Sequence, residues 1–440
     1  MSTNAHKAFA TRRRRLMRRM GRDAIAILPA AVERPRNGTT SYPYRQASDF
    51  WYLTGFVEPE AILVLAPGRD EGEALLFCRP RDPERERWEG VRSGPEGAVA
   101  DYGLDAAEPI ETFAERLPEL LAGRHAVYHA LNVDAALDRT VLDALDAVRA
   151  RSRAGVHAPE AIIAPQALLH EMRLIKGRDE LQRMRHAARI SAAAHVRAMR
   201  TTRPGMAEYQ VEAELLHEFV RHGCRAPAYP SIVAGGANAC VLHYHDNRAV
   251  LADGDLLLID AGGEYDHYAA DITRTFPVNG RFSGPQRAIA ELVLAAQQAA
   301  IAAVRPGHDW NRPHEAAVRV LTEGLVELKI LHGSIDDLIE QAAYKPYYMH
   351  RTGHWLGLDV HDVGEYQQAG QWRELRPGMA LTVEPALYFP ADIEGLDPRW
   401  HHIGVRIEDD VVVTRDGCEV LTEEAPKAPD AIEELMGEGR

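Results

Sequence analysis

Four acidic residues and a group of histidines in this sequence are spaced as if to share a positive partner. Asp260 ends the apolar run Leu256–Ile259, and Asp271 follows after a short Gly-containing turn. A two-residue turn at Tyr265-Asp266 would make 251–278 a β-hairpin. That register sets Asp260 opposite Asp271, with Cβ atoms about 5 Å apart. Like charges so placed destabilise a sheet unless they share a proton or hold a cation. Further along, Glu384 ends Ala380-Leu381-Thr382-Val383 and precedes Pro385, and Glu408 ends Gly404-Val405-Arg406-Ile407. Strand alternation puts Arg406 and Glu408 on one face, opposite Val405 and Ile407. Charges on an apolar strand are costly unless paired or metal-bound.

Histidines accompany these acids. His350, His354 and His361 lie in the Gly-rich stretch HRTGHWLGLDVHD, and His243 and His245 lie in Leu242–Asp246. Imidazoles beside acidic strands point to metal ligation or proton transfer. Four carboxylates with an imidazole are too many for one catalytic zinc, which takes three protein ligands. They suit a pair of hard or borderline cations such as Mn2+. Two cations about 3.5–4 Å apart can activate water and polarise a carbonyl, which is hydrolytic chemistry. A di-iron oxygenase would draw its acids from helices, through Glu-x-x-His pairs. Here the acids end predicted strands.

The elements that must position these groups form two parts. Apolar stretches at 24–28, 61–66, 74–78 and 126–129 alternate with helical patterns at 111–122 and 134–149, so residues 1–173 read as an α/β domain. Arg79–Gly103, charged and rich in Gly and Pro, reads as a long surface loop holding Trp88. Residues 174–440 form a second domain, with helices at 178–199, 207–221, 284–304, 311–328 and 335–343. The motif helix–Arg-Pro-Gly–helix occurs twice. Each copy leads to a glycine six residues before an acid, Gly254 before Asp260 and Gly378 before Glu384. Two similar halves would each deliver two carboxylates to one centre.

Composition narrows the function. The 440-residue chain carries a formal charge of −14, which argues against general nucleic-acid binding. No apolar run reaches the ~18 residues of a membrane span. Cys78, Cys224, Cys240 and Cys418 are far apart without a CxxC, as in a reducing compartment, and the cytoplasm is the expected location. The basic run Arg12–Arg15, with Arg18 and Arg19, is expected to be a solvated helix face.

The motifs HRTGHWLGLDVHD, IDAGGEYDHYAADITRTFPV, TVEPALY and GVRIEDDVVV together resemble the proline-peptidase branch of the creatinase/methionine-aminopeptidase, or pita-bread, superfamily over 178–420. YPYRQASDFWYLTGFVEPEAILVL at 42–65 resembles the N-terminal domain of the aminopeptidase P family. The resemblance implies an α/β (α+β) chain whose C-terminal domain is a pseudo-twofold antiparallel sheet flanked by helices. It implies metal ligands at Asp260, Asp271, His354, Glu384 and Glu408, with Asp271 and Glu408 bridging two Mn2+ (Zn2+ or Co2+ as alternatives). Glu384 would also shuttle a proton. His243 and His361 would contact substrate and tetrahedral intermediate, and His350 would line a proline pocket. Arg406 would support the ligands, and Trp88 would reach a neighbouring subunit's site. The implied activity is release of the first residue from peptides with proline second, by a homotetramer or dimer. Prolidase, acting on dipeptides, is the nearest rival. Methionine aminopeptidase lacks so large an N-terminal domain, and creatinase needs no metal. A non-enzymatic peptide- or protein-binding module of the same fold would be expected to have lost ligands.

Overall fold

Brief apolar runs, too short for helices, make the sheet of the N-terminal unit. In the computed structural model, which describes residues 3–438, the chain divides into units Met1–Met172 and Arg173–Arg440. The first holds a six-stranded sheet in the order Ala106–Pro109, Ala74–Cys78, Ile62–Leu65, Ala24–Pro29, Ala126–Tyr128, Ala161–Ile163. The three strands from Ala24–Pro29 to Ala74–Cys78 are antiparallel, and the outer pairings are parallel. Helices Phe113–Leu121 and Ala135–Arg149 close a core of Ile25, Ile27, Phe77, Leu117 and Val141.

Two expectations for this unit need correction. The segment 79–103 is not one long loop: it contains helices Pro83–Glu89 and Gly94–Tyr102. Asp82 starts the first by accepting the N–H groups of Glu84 and Arg85, with Pro83 in the first turn. Trp88 therefore sits on a helix, 90% exposed. The basic run lies in helix Thr3–Met20 and is not wholly solvated. Arg12 and Arg13 are buried: Arg12 stacks 4.4 Å over the Tyr52 ring, and Arg13 donates to Leu53 O at 2.9 Å. Both cover carbonyls at the end of helix Ser48–Thr54, which has no intrahelical donors for them.

The second unit is built on two long antiparallel hairpins backed by helix pairs, Arg178–Thr201 with Glu208–Arg221 and Gly284–Ala303 with Arg312–Glu327. In the first hairpin Leu256–Asp260 pairs with Thr273–Pro277, and Gly263–Tyr265 with Tyr268–Ala269. In the second Ala380–Val383 pairs with Asp409–Val413, and Ala386–Phe389 with Ile403–Arg406. Each hairpin keeps one register across a short break in the ladder. The breaks are bridged by Ala261 N to Ile272 O at 3.0 Å and Ile407 N to Pro385 O at 3.3 Å. The acids stand at these breaks. Pro385, which has no N–H, enforces the second one.

The first hairpin turns at Asp266-His267, both at positive φ (46° and 69°), and not at Tyr265-Asp266. Two left-handed residues give the primed turn whose twist suits a hairpin. The pairing is displaced accordingly, and Asp260 lies opposite Thr273. The expected face-to-face Asp260–Asp271 pair is incorrect.

The stretch 350–362 has no regular strand or helix, yet it is firmly held. Asp362 is buried between Lys176 Nζ, at 3.0 Å, and Arg173. Gly357 makes room for this cluster: a Cβ there would lie 2.2 Å from Asp362 Oδ2. Gly353 lies against Thr382 O, where a Cβ would approach to 2.0 Å. Among the described residues no helix is long and apolar enough to cross a membrane. Burial alone would raise the Asp362 pKa, but the two cations outweigh it and hold the carboxyl below its ordinary value. Its stabilisation is thus complete above the unfolded value of about 3.9 and is lost as pH falls through the lower folded value. Asp362→Asn leaves the buried Lys176 ammonium without its carboxylate, while Arg173 keeps Asp359, and is expected to cost about 3 kcal/mol at pH 7. Denaturant unfolding across pH should show the gap from wild type narrowing below about pH 4. Equal stability at pH 7 would refute this role.

Candidate metal centre and active site

The hairpin breaks deliver their carboxylates to one cavity of about 470 Å3, lined also by His243, His245, His350, His354, His361 and Arg406. Asp260 ends its strand, and Asp271 precedes the next. Tyr229 holds both, its hydroxyl lying 2.6 Å from Asp260 Oδ1 and also against Asp271 Oδ1. The other Asp260 oxygen accepts from Arg406 Nη2 at 2.7 Å. The backbone N–H of Asp271 donates to buried Asp410. Glu408 accepts from the Thr273 hydroxyl at 2.6 Å, tying the second hairpin to the first. Behind this contact Arg274, wholly buried, donates to Thr273 O, Glu408 O and Asp409.

Helix Arg178–Thr201 supplies what the first ladder loses at its break. His195 and Ser191, one turn apart, face residues 261–263: His195 Nε2 donates to Ala261 O at 2.9 Å, and Ser191 Oγ accepts from Gly263 N at 2.9 Å. At Gly262 a Cβ would lie 1.7 Å from Ala270 O, so no larger residue fits between the two aspartates.

His354 carries the clearest sign of what the cavity is built to hold. Its Nδ1–H donates to Trp355 O at 3.0 Å, which leaves the Nε2 lone pair facing Asp271 at 3.3 Å and Glu384 at 3.6 Å. A lone pair against two carboxylates is unfavourable unless a proton or a cation lies between them. Burial would lower the His354 pKa, yet the surrounding acids raise it to about 9. Burial, opposed by His354 and Arg406 and reinforced by the other acids, lifts Glu384 to about 7. Burial and the neighbouring acids also push Glu408 well above the carboxylate range. The environment therefore favours added positive charge. Asp271, His354 and Glu408 each offer a donor atom within 4.8 Å of the others, and Asp260 and Glu384 border this group. A set of carboxylate oxygens with one imidazole nitrogen fits divalent cations.

The remaining candidates lie around this cluster. His361 packs edge-on against His354, with centroids 4.3 Å apart. His243 and His245, which also line the cavity, lie parallel with centroids 6.4 Å apart. His350 Nε2 meets Tyr388 OH at 3.1 Å, and Arg406 Nη1 donates to the same hydroxyl at 2.8 Å. Trp88 belongs to the N-terminal unit and is not among the residues lining the cavity. Sequence reasoning did not single out Tyr229, Tyr388, Thr273 or Asp410. For Tyr229 the one signal is its place between prolines, Pro227 and Pro230, in a loop leading to the hairpin.

The model for metallopeptidase family M24 matches residues 182–415, and that for the aminopeptidase P N-terminal domain matches 9–128. The Xaa-Pro aminopeptidase of Escherichia coli (strain K12) is 46% identical, with 99% of each chain covered. Human Xaa-Pro aminopeptidase 3 is 34% identical over 98% of this chain and 85% of its own. The structure of Pseudomonas aeruginosa aminopeptidase PepP matches with a TM-score of 0.97 and 54% identity, covering 99% of this chain and 98% of that one. The zinc-substituted E. coli aminopeptidase P in complex with product matches with a TM-score of 0.95 and 46% identity, covering 99% of both chains. By its motifs, its two matched domains and these full-length likenesses, the chain belongs to metallopeptidase family M24, in the aminopeptidase P branch.

Proposed function

We propose that the cavity is the active site of a metal-dependent aminopeptidase that releases the first residue from peptides with proline in second position. The observation that carries this reading is the convergence of Asp260, Asp271, Glu384 and Glu408 on His354 in one buried cavity. Two guanidiniums line the cavity with the four carboxylates, Arg351 and Arg406, and only Arg406 pairs directly with one of them, Asp260. Four carboxylates with His354 exceed the three protein ligands of a single catalytic zinc, which favours a dinuclear site. Oxygen-rich donors suit Mn2+, with Zn2+ or Co2+ as alternatives. When bound, the cations supply Lewis acidity at the scissile carbonyl and acidify a water molecule.

The chain's own residues bind, orient and move protons. His350, Tyr388 and Arg406 form a hydrogen-bonded wall suited to a proline ring. His243 and His361 both line the cavity and can donate to an oxygen that gains charge. Glu384 lies 3.7 Å from His350 Nδ1 and holds a proton more readily than an exposed glutamate. It is placed to deliver that proton to the leaving nitrogen, which in an Xaa-Pro bond carries no hydrogen of its own.

The same reading extends to the cell and the assembly. All four cysteines are free, as in a reducing compartment, and the cytoplasm is the proposed location. Trp88 and Val91, 90% and 78% exposed on adjacent turns of chain, are the proposed contact by which a neighbouring subunit completes a tetramer or dimer. Sedimentation at a monomer mass would exclude that assembly.

Two outcomes test the activity. After EDTA treatment, hydrolysis of Xaa-Pro-Yaa tripeptides should vanish and should return on adding Mn2+, with Xaa-Ala-Yaa peptides uncleaved throughout. Cleavage of Gly-Pro but not of Gly-Pro-Yaa would instead identify a dipeptidase. Glu384→Gln should fold normally and lose roughly 10²-fold or more in kcat. Wild-type turnover by that variant would remove Glu384 from the reaction.

A further inference from the structure

Two histidines that line the cavity, His243 and His245, are carried by a stretch with little structure of its own. After strand Ile232–Gly235 and a short 3-10 turn at Gly236–Cys240, residues 241–255 form no helix or long strand. Both side chains are exposed. Loops of this kind are mobile unless their backbone is tied down.

One buried carboxylate ties this one. Glu208, at the start of helix Glu208–Arg221, has no solvent exposure. Its Oε1 accepts from Gly235 N at 2.8 Å and Asn238 Nδ2 at 3.0 Å. Its Oε2 accepts from Tyr244 OH at 2.8 Å and Ala249 N at 2.9 Å. These four donors span the loop from entry to exit, and Tyr244 is the residue between the two histidines. None of the four is charged, so a buried carboxylate rests on neutral donors alone, each made indispensable by the burial. Asn247, at φ 47°, adds a second tie: its side chain accepts from Val233 N and donates to Ser231 O.

We propose that Glu208 is a positioning residue for catalysis, fixing where His243 and His245 enter the cavity while touching neither substrate nor metal ligand. The inference rests on the reading that these histidines act on the substrate. Glutamine keeps the shape of Glu208 but replaces one acceptor oxygen with a donor, so it opposes two of the four bonds.

The test is a double-mutant cycle on the Mn2+-loaded enzyme with an Ala-Pro-Ala substrate, joined to a Mn2+-binding measurement. Glu208→Gln is expected to lower kcat/KM roughly tenfold, while the Mn2+ dissociation constant stays within about twofold. In a His243→Ala/His245→Ala background the same change is expected to cost less than about twofold, because the groups it positions are gone. Tyr244→Phe, which removes a single hydroxyl, should give a smaller loss with the same pattern, and it serves if Glu208→Gln does not fold. An undiminished loss in the histidine-free background overturns the positioning role alone. Wild-type kcat/KM in the histidine-free enzyme overturns the reading of the histidines and the positioning role with it. A matching loss of Mn2+ affinity overturns the assignment to the loop.

Discussion

Buried negative charge is the constraint around which the catalytic unit is arranged. Asp260, Asp271, Glu384 and Glu408 converge on one cavity, and burial raises the cost of ionising each of them. No packing of apolar residues offsets such a cluster, so the surrounding structure supplies what partial compensation it can. Arg406 pairs with Asp260, Tyr229 bridges the two aspartates, Thr273 donates to Glu408, and His354 is drawn toward a charged state. These contacts leave room for, and electrostatically favour, further positive charge.

Each hairpin brings its acids to the cavity at a break in the ladder, and it does so without losing register. At the first break His195 and Ser191 take over the unpaired carbonyl and N–H, and Gly262 allows the close backbone approach. At the second, Pro385 has no N–H to leave unpaired. Arg274 and Asp409, fully buried, lock the two hairpins back to back. The ion cluster at Asp362 fixes the stretch that carries His354 and His361. Placement of the site thus depends on buried polar contacts one layer behind the groups that would do the chemistry.

Much of this was legible in the sequence because charges at the ends of apolar runs are anomalies. Asp260, Glu384 and Glu408 each interrupt a pattern that would otherwise read as core, and His354 stands among glycines with no helical or strand period to explain it. Many strand and helix runs were legible from their periodicity, but the short edge strands Ala106–Pro109 and Ala161–Ile163 and the helices Ser48–Thr54, Gln166–Arg173 and Pro429–Glu438 were not. The register was not. It depends on which two residues take positive φ, and Asp266-His267 carries no Asn-Gly or Asp-Gly signal. The helices at 83–89 and 94–102 were hidden by Gly and Pro, although Asp82-Pro83 is a helix start. Tyr229, Asp410 and Glu208 act through contacts across long stretches of chain, which no local pattern encodes. Glu208 in particular reads from sequence as an ordinary acid in a first helical turn.

A cavity lined by four carboxylates and His354 is proposed to hold divalent cations, two per chain. Calorimetric titration of Mn2+ into metal-stripped protein measures this directly. Two bound ions per chain are predicted, with the melting temperature rising with free Mn2+ as ligand linkage requires. The second equivalent should be lost in Asp260→Asn. Absence of binding, or a melting temperature indifferent to Mn2+, would contradict the claim that these buried carboxylates are balanced by metal.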